Sequence, residues 1–571
     1  MAIRLGIRDA RHAALRVLAE LRELFEVRVD ARAVYAQRSA RLRCPCGANS
    51  TDRCGSASRK RRRSDKAATI HNHQDGILRA TAHPRPDSGN VGGSLFSGVI
   101  VKRFFDTKLA QTSYLIACGR ARAAIVIDPL RDIRQYLDTA KAEGVEITHV
   151  SETHIHADFV SGSRDLAHAT GATLLLSDEG DANWKYAYAK AAGARLVTNG
   201  DEEMVGNVRV RVVHTPGHTP EHISFLITDT AAADEPIGIV TGDFVFVGDV
   251  GRPDLLERAA KFEGTMEAGA RTLFRSLQKF KEYPDWLQIW PGHGAGSACG
   301  KGLSAVPHST VGYEKRFNWA FGIGSEQDFV NAVLEGQPEP PKYFAEMKRI
   351  NKEGPAPYDP ARMPDAWGLN ALRSALAAGT PIVDARPRAD FAAGHIPGTI
   401  SVPLTNSFNT WAGWLLPYDR DFAVIVSAGA AAEEAVRELA MIGLDRIAAT
   451  IDASVVSEWA STVGPLESVR QLTAAEVAAG QAAGTMSVLD VRGGSEWDAS
   501  HIPGAPNIPL GYLREQLASV DRSKTIVLQC QGGGRSSIAA SLLQAAGVKN
   551  VANLAGGFDD WESCGLPTEK P

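Results

Sequence analysis

Two groups of residues in this 571-residue chain have the types and spacing to do chemistry. The first is CQGGGRSS, running from Cys530 through Gln531, Gly532, Gly533 and Gly534 to Arg535, between the apolar run TIVLQ and the helix-like IAASLLQAAG. A thiol at a strand end, a glycine turn and a helix start predict backbone N–H groups turned inward, with Arg535 closing the ring. Such a cradle stabilises an anion, so Cys530 reads as a nucleophile with a lowered pKa. Its ring is one residue shorter than a C-x5-R phosphate cradle and suits a persulfide better. The second group is SETHIHADFVSGS (His154, His156, Asp158), then TPGHT (His218), TGDF (Asp243) and WPGHG (His293). Imidazoles and carboxylates at glycine-rich strand ends are candidate metal ligands. Arg252, in VGDVGRPDL, is a candidate clamp for a carboxylate or sulfonate-like group of a substrate. Cys299, six residues beyond His293, is a candidate thiol near the same site that could hold or relay sulfur.

These residues need elements to hold them. From about Gly98 the chain alternates strand-length apolar runs with Gly/Pro turns and helical stretches, which is α/β punctuation. A first unit reaches about Pro355 and ends in a proline-rich linker, GQPEPPKYF followed by KEGPAPYDPARMP. After it the chain repeats: IVDARPRADFAAGHIPGTISVPL from residue 382 matches VLDVRGGSEWDASHIPGAPNIPL from residue 488, so Asp384/Asp490, Arg386/Arg492 and His395/His501 correspond. These three pairs are expected to fix the fold rather than to react. Aligning the second strands of the repeats sets Ala428 at the cysteine position and Glu433 at the arginine position of the middle copy.

With DVR, SHIPGA and LAGGFDDW added, residues 468–571 resemble the rhodanese family of sulfurtransferases, which implies that Cys530 carries a sulfane sulfur as a persulfide. Residues 356–467 resemble a rhodanese without the nucleophile, implying a structural or docking role. Residues 98–355 are similar to the metallo-β-lactamase superfamily, which implies a four-layer αββα sandwich with its site along one edge. Hydrolases of that superfamily carry a histidine after the aspartate of H-x-H-x-D; here it is Phe159. The persulfide dioxygenase branch resembles the chain best. That resemblance implies one Fe(II) on His154, His218 and Asp243, with His156, Asp158 and His293 orienting ligands around it. Were zinc bound instead, His154, His156 and His218 would hold it with Asp243 nearby. The implied substrates are a low-molecular-weight thiol persulfide and O2, with sulfite or thiosulfate exchanged at Cys530. A zinc thioester hydrolase of the glyoxalase II kind, or a non-catalytic sulfur-carrier module, is the alternative.

Composition bounds the rest. At roughly 100–200 residues per domain the length predicts three or four domains. Seven scattered cysteines do not make a disulfide framework and fit the reducing cytoplasm. No apolar run is long enough to span a bilayer, so no membrane partner is expected. The net charge is −4, yet residues 1–97 carry 19 Lys and Arg against 9 Asp and Glu. That head is expected to be a disordered basic extension, with no nucleic-acid partner, and a homo-oligomer is plausible for a chain of this build.

Overall fold

The computed structural model describes residues 98–571 apart from 256, 258–263 and 338; the basic head lies outside the described residues. The first sheet runs in sequence order through β1 (Val99–Asp106), β2 (Gln111–Cys118), β3 (Ala123–Ile127), β4 (Glu146–Ser151), β5 (Thr173–Ser177) and β6 (Arg195–Val197). Its first three strands are antiparallel and the others parallel. The second sheet has the order β12-β11-β10-β9-β8-β7, built from β7 (Glu202–Val205), β8 (Val208–His214), β9 (Ile223–Asp229), β10 (Gly238–Gly242), β11 (Gln288–Pro291) and β12 (Ser309–Thr310).

Burial shows why these strands stack into layers. Every residue of β2 is buried, which requires cover on both faces. Tyr114 and Ile116 meet Val210, Val212 and Phe225 of the second sheet, whereas Leu115 and Ala117 point the other way. There they meet α1 (Arg134–Glu143, with Tyr136) and α2 (Ser163–Thr170, with Leu166). The outer face of the second sheet packs on α3 (Thr265–Phe280) through Leu273, Leu277 and Phe280. The expected αββα sandwich results.

Helix α4 (Phe344–Glu353) leads from it to two further sheets, both wholly parallel. One has the order β13-β17-β16-β14-β15, from β13 (Asp365–Ala366), β14 (Ile382–Asp384), β15 (Ile400–Ser401), β16 (Phe422–Val426) and β17 (Ile447–Asp452). The other has the order β18-β21-β20-β19, from β18 (Arg470–Leu472), β19 (Met486–Asp490), β20 (Thr525–Gln529) and β21 (Val551–Leu554). The helices that matter for the site are α5 (Arg388–Ala393), α6 (Ala430–Met441), α7 (Gly494–Ala499) and α8 (Gly534–Ala545). The repeated Asp, Arg and His do the same work twice. Arg386 grips Asp384 and the Gly394 carbonyl, as Arg492 grips Asp490 and the Ser500 carbonyl. His395 stacks on Phe391 and His501 on Trp497.

One apolar cluster joins all three units: Phe159 and Val160, then Phe344 and Met347 of α4, then Val424 and Leu439, then Leu528 and Ile538. Polar ties reinforce it. Val160 N–H donates to the Met441 carbonyl at 2.8 Å, and Arg131 pairs with Asp445 at 2.6 Å. No helix of the described residues is long and apolar enough to cross a membrane.

Candidate functional site

The histidine-rich motifs meet because their strands end at one edge of the sandwich. His154, His156 and Asp158 follow β4, His218 lies in the β8–β9 turn, Asp243 follows β10 and His293 follows β11; all six are buried. The turn before Asp243 depends on Gly242, whose φ is +48° and where a Cβ would sit 2.5 Å from Thr153 Oγ1.

His154, His218 and Asp243 bring ligand atoms within 4.8 Å of one another. Their tautomers are set by neighbours. The Thr153 hydroxyl gives its proton to Asp128 Oδ2 (2.9 Å), so it accepts from His154 Nδ1–H (2.9 Å) and leaves Nε2 with a lone pair. His218 Nδ1–H donates to the Arg252 carbonyl at 3.0 Å, with the same result. The two Nε2 atoms lie 3.9 and 3.6 Å from Asp243 Oδ2, a buried oxygen with no hydrogen-bond partner. An orphaned carboxylate oxygen facing two imidazole lone pairs is costly by itself and fits a cation. Burial, with the nearby His156 charge, pushes His154 well below the ordinary imidazole range. Burial likewise lowers His218. Burial works to raise Asp243 too, but His293 and His154 outweigh it and hold its carboxyl well below the usual range.

The other three form a frame around that trio. His293 donates through Nδ1 to Asp243 Oδ1 and through Nε2 to Asp158 Oδ2, both at 2.7 Å. Burial opposes its charge, but the two carboxylates prevail and hold it as imidazolium. His156 is turned away, donating through Nε2 to Asp128 Oδ1 at 3.1 Å; that carboxylate outweighs burial and lifts it to about 9. The alternative zinc set with His156 is therefore not assembled. Phe159 is buried against the His156 ring, 4.5 Å between centroids, where a further ligand would have been needed for a second metal.

Cys299 is at the centre too: its sulfur lies within 4.8 Å of ligand atoms of Asp158 and His293. Burial, and then the charges of Asp243 and Asp158, push its thiol well up. Arg252 is not the open clamp expected from the sequence. Its guanidinium is buried, paired with both oxygens of Asp254 at 2.7 Å and donating to the Ala298 carbonyl at 3.1 Å. What Arg252 gives the site is its backbone carbonyl.

Three contributors escaped the sequence reading. Asp128, at a backbone φ of +54°, takes Thr153 N–H (2.6 Å) and His156 on one carboxylate. His222, four residues after His218, accepts the Asp243 N–H at 3.1 Å. Asn351 of α4 donates to the His156 and Phe159 carbonyls at 2.8 and 2.7 Å. The strand-end Asp of IVIDP and the second His of HTPEH were visible signals; Asn351 had none.

At the second site Cys530 directly follows β20 and is buried, and its Sγ receives hydrogen bonds from Ser536 N–H and Oγ–H at 3.3 Å each. Gly533, with φ +81°, turns the chain where a Cβ would lie 2.1 Å from the Ala555 carbonyl oxygen. Gly532 and Gly534 flank it, and Gln531 binds Asp559 and Arg492. Arg535 pairs with Glu496 through two bonds of 2.6 and 2.7 Å, and its charge also acts on Cys530. The middle repeat sets a glycine of positive φ at the same point, though with a different ψ, −136° at Gly429 against −2° at Gly533. Asp384 pairs with Ile425 as Asp490 pairs with Gln529, Gly429 has φ +77°, and α6 and α8 start one residue later. Val426 and Ala431 therefore stand at the Cys530 and Arg535 positions, a correction to Ala428 and Glu433. No thiol occupies that loop.

Comparisons agree with the domains that carry these residues. Residues 106–293 match the model of the metallo-beta-lactamase superfamily, and residues 369–457 and 473–564 each match the rhodanese-like domain. A solved metallo-beta-lactamase from Staphylococcus aureus subsp. aureus COL is 44% identical with a TM-score of 0.57, covering 62% of this chain and 99% of its own. A hydroxyacylglutathione hydrolase of Rhodospirillum rubrum is 31% identical over 32% of this chain and 60% of its own length. The mitochondrial persulfide dioxygenase of Bos taurus is 25% identical over 34% and 68%. This chain spans 60–66% of the length of three curated hydrolase-named relatives.

Proposed function

This chain belongs to the metallo-beta-lactamase superfamily and carries two rhodanese-like domains, and from that premise we propose that it is a persulfide dioxygenase joined to a sulfurtransferase. The observation that carries the reading is the buried trio His154, His218 and Asp243, with an orphaned carboxylate oxygen and Phe159 in place of a further ligand. Two imidazoles and one carboxylate are the donor set of non-haem Fe(II) with open positions. Iron held there supplies the chemistry by which O2 reacts with a persulfide sulfur. The net reaction is RSSH + O2 + H2O → RSH + SO3²⁻ + 2 H⁺.

The chain's own residues do the rest. Thr153 and the Arg252 carbonyl hold the histidine tautomers, and His222 holds the backbone of Asp243. His293 bridges Asp243 and Asp158 and fixes the orientation of both carboxylates. Cys299 lies beside Asp158 and His293 with its thiol kept protonated by burial, which argues against its relaying sulfur as a thiolate. At the other site Cys530 holds a sulfane sulfur and passes it to sulfite, giving thiosulfate, or runs the exchange in reverse; Ser536 stabilises the sulfur anion by two hydrogen bonds. Joining the two sites raises the effective concentration of sulfite at its acceptor. The role is detoxification of sulfide and persulfides in the cytoplasm, where free thiols persist.

The test is oxygen uptake by iron-loaded whole chain given glutathione persulfide, with sulfite and thiosulfate quantified together. Uptake with a sulfur product is expected. The 31% match to a hydroxyacylglutathione hydrolase favours a second reading, a zinc thioester hydrolase. Thioester cleavage by the zinc-loaded chain, with no oxygen uptake by the iron-loaded one, would establish that instead.

A further inference from the structure

The last unit's own cations around Cys530 are already engaged. Arg535 lies in its two-bond pair with Glu496, and Arg492 holds Asp490 while reaching Gln531 Oε1. An approaching anion meets them as neutral pairs. Another cation reaches the rim from the middle repeat. Arg388, the first residue of α5, donates through Nη1 to the Gly532 carbonyl at 3.3 Å, and that nitrogen stands 3.6 Å from where a Cβ on Gly534 would be. Its side chain is exposed and forms no ion pair among the described residues. The repeat match sets Gly494 at the same position in the last copy, which offers no side chain there.

Packing of the middle repeat on α8 sets the start of α5 beside the loop. Helix α8, which begins at the sulfur loop, lies on β15, and Ser401 N–H donates to Ser541 Oγ at 3.0 Å across the seam. Val402 and Ile538 belong to the shared apolar cluster beside it. Gly532, Gly533 and Gly534 carry no side chains, and Gln531 is held by Asp559 and Arg492.

We propose that Arg388 is the anion-recognising side chain of the Cys530 site, supplied by the repeat that lost its own nucleophile. The ligand is a doubly charged oxyanion of sulfur, thiosulfate as donor or sulfite as acceptor. A planar guanidinium presents parallel N–H donors to two oxygens of such an ion. In the donor direction the Cys530 thiolate attacks the outer sulfur of thiosulfate. The S–S bond breaks, sulfite leaves with the bonding electron pair, and Cys530 keeps the persulfide. The proposal rests on the sulfurtransferase reading above.

The experiment uses the full chain, its R388Q and R388K variants, and cyanide as a common sulfur acceptor. Donors are thiosulfate and cysteamine persulfide, the second having no oxyanion; sulfite is tested separately as acceptor for persulfide-loaded chain. For R388Q the KM for thiosulfate or for sulfite rises about tenfold, the loss of one charge-assisted contact, with kcat within about twofold. R388K recovers most of the affinity, and the KM for cysteamine persulfide does not move. A rise for one oxyanion alone identifies it as the ligand. Unchanged KM values for both oxyanions overturn the proposal, as does an equal rise for the cysteamine donor, which would make Arg388 a prop for the loop. Wild-type chain that transfers sulfur from neither donor overturns the sulfurtransferase reading itself.

Discussion

The middle and last repeats keep one strand register and one helix start, and differ in the loop between them. Gly429 and Gly533 have φ of +77° and +81° but ψ of −136° and −2°, and Val426 ends its strand where Cys530 follows its own. The middle repeat is held by its neighbours: Met441 takes the Val160 N–H, Asp445 takes Arg131, and β15 carries α8. The cradle alone is a fold feature. Under the proposed reading, sulfur transfer adds to it the thiol, the Ser536 donors and the Arg388 cation.

Breaking the active member of the pair has the largest effect. Cys530→Ser is expected to lower thiosulfate formation more than about a thousandfold, as removal of a nucleophile does, while persulfide-dependent oxygen uptake continues. Parallel oxygen-electrode and thiosulfate assays check this, and equal loss of both activities would refute two separate sites. His218→Ala or Asp243→Ala does the converse: bound iron falls by about 10-fold or more by elemental analysis, oxygen uptake goes with it, and sulfur transfer from thiosulfate stays.

The next prediction asks how far the units are independent. Phe344→Ala removes a buried ring from the cluster that all three share and is expected to cost about 3–5 kcal/mol, read as an earlier chemical-denaturation midpoint common to both activities. Two well-separated midpoints would show that the units unfold on their own. The smallest effect sharpens the thiol itself. Ser536→Ala removes one of two hydrogen bonds to Cys530 Sγ, worth about 1 kcal/mol, and should slow alkylation of Cys530 by iodoacetamide about fivefold at neutral pH.

Much of this was readable because the chemistry sits in short motifs at strand ends. H-x-H-x-D, TPGHT, TGDF, WPGHG and CQGGGRSS each announce themselves within a few residues, and the repeat sets two domains by a constant spacing. Partners from distant segments carry no such spacing. Asn351 arrives on the linker helix and Arg388 from another repeat. Arg252 was misread for a different reason: Asp254, its partner, lies only two residues on, but a sequence does not say that both are buried. The Ala428 alignment failed because counting from the apolar run missed the ladder register, which the Asp384–Ile425 pairing fixes.

Helix α4 stands where the proline-rich text suggests a loose tether, and it is nothing of the kind. Phe344 and Met347 are buried, and Met347 lies against the Gly443 turn with Ile350 and Val160. Dissection at this joint would therefore strip an apolar face from both pieces at once. Fragments made there should self-associate in water, and the same cut would deprive the H-x-H-x-D loop of Asn351, so the isolated front piece inherits a loosened metal cage along with its sticky flank.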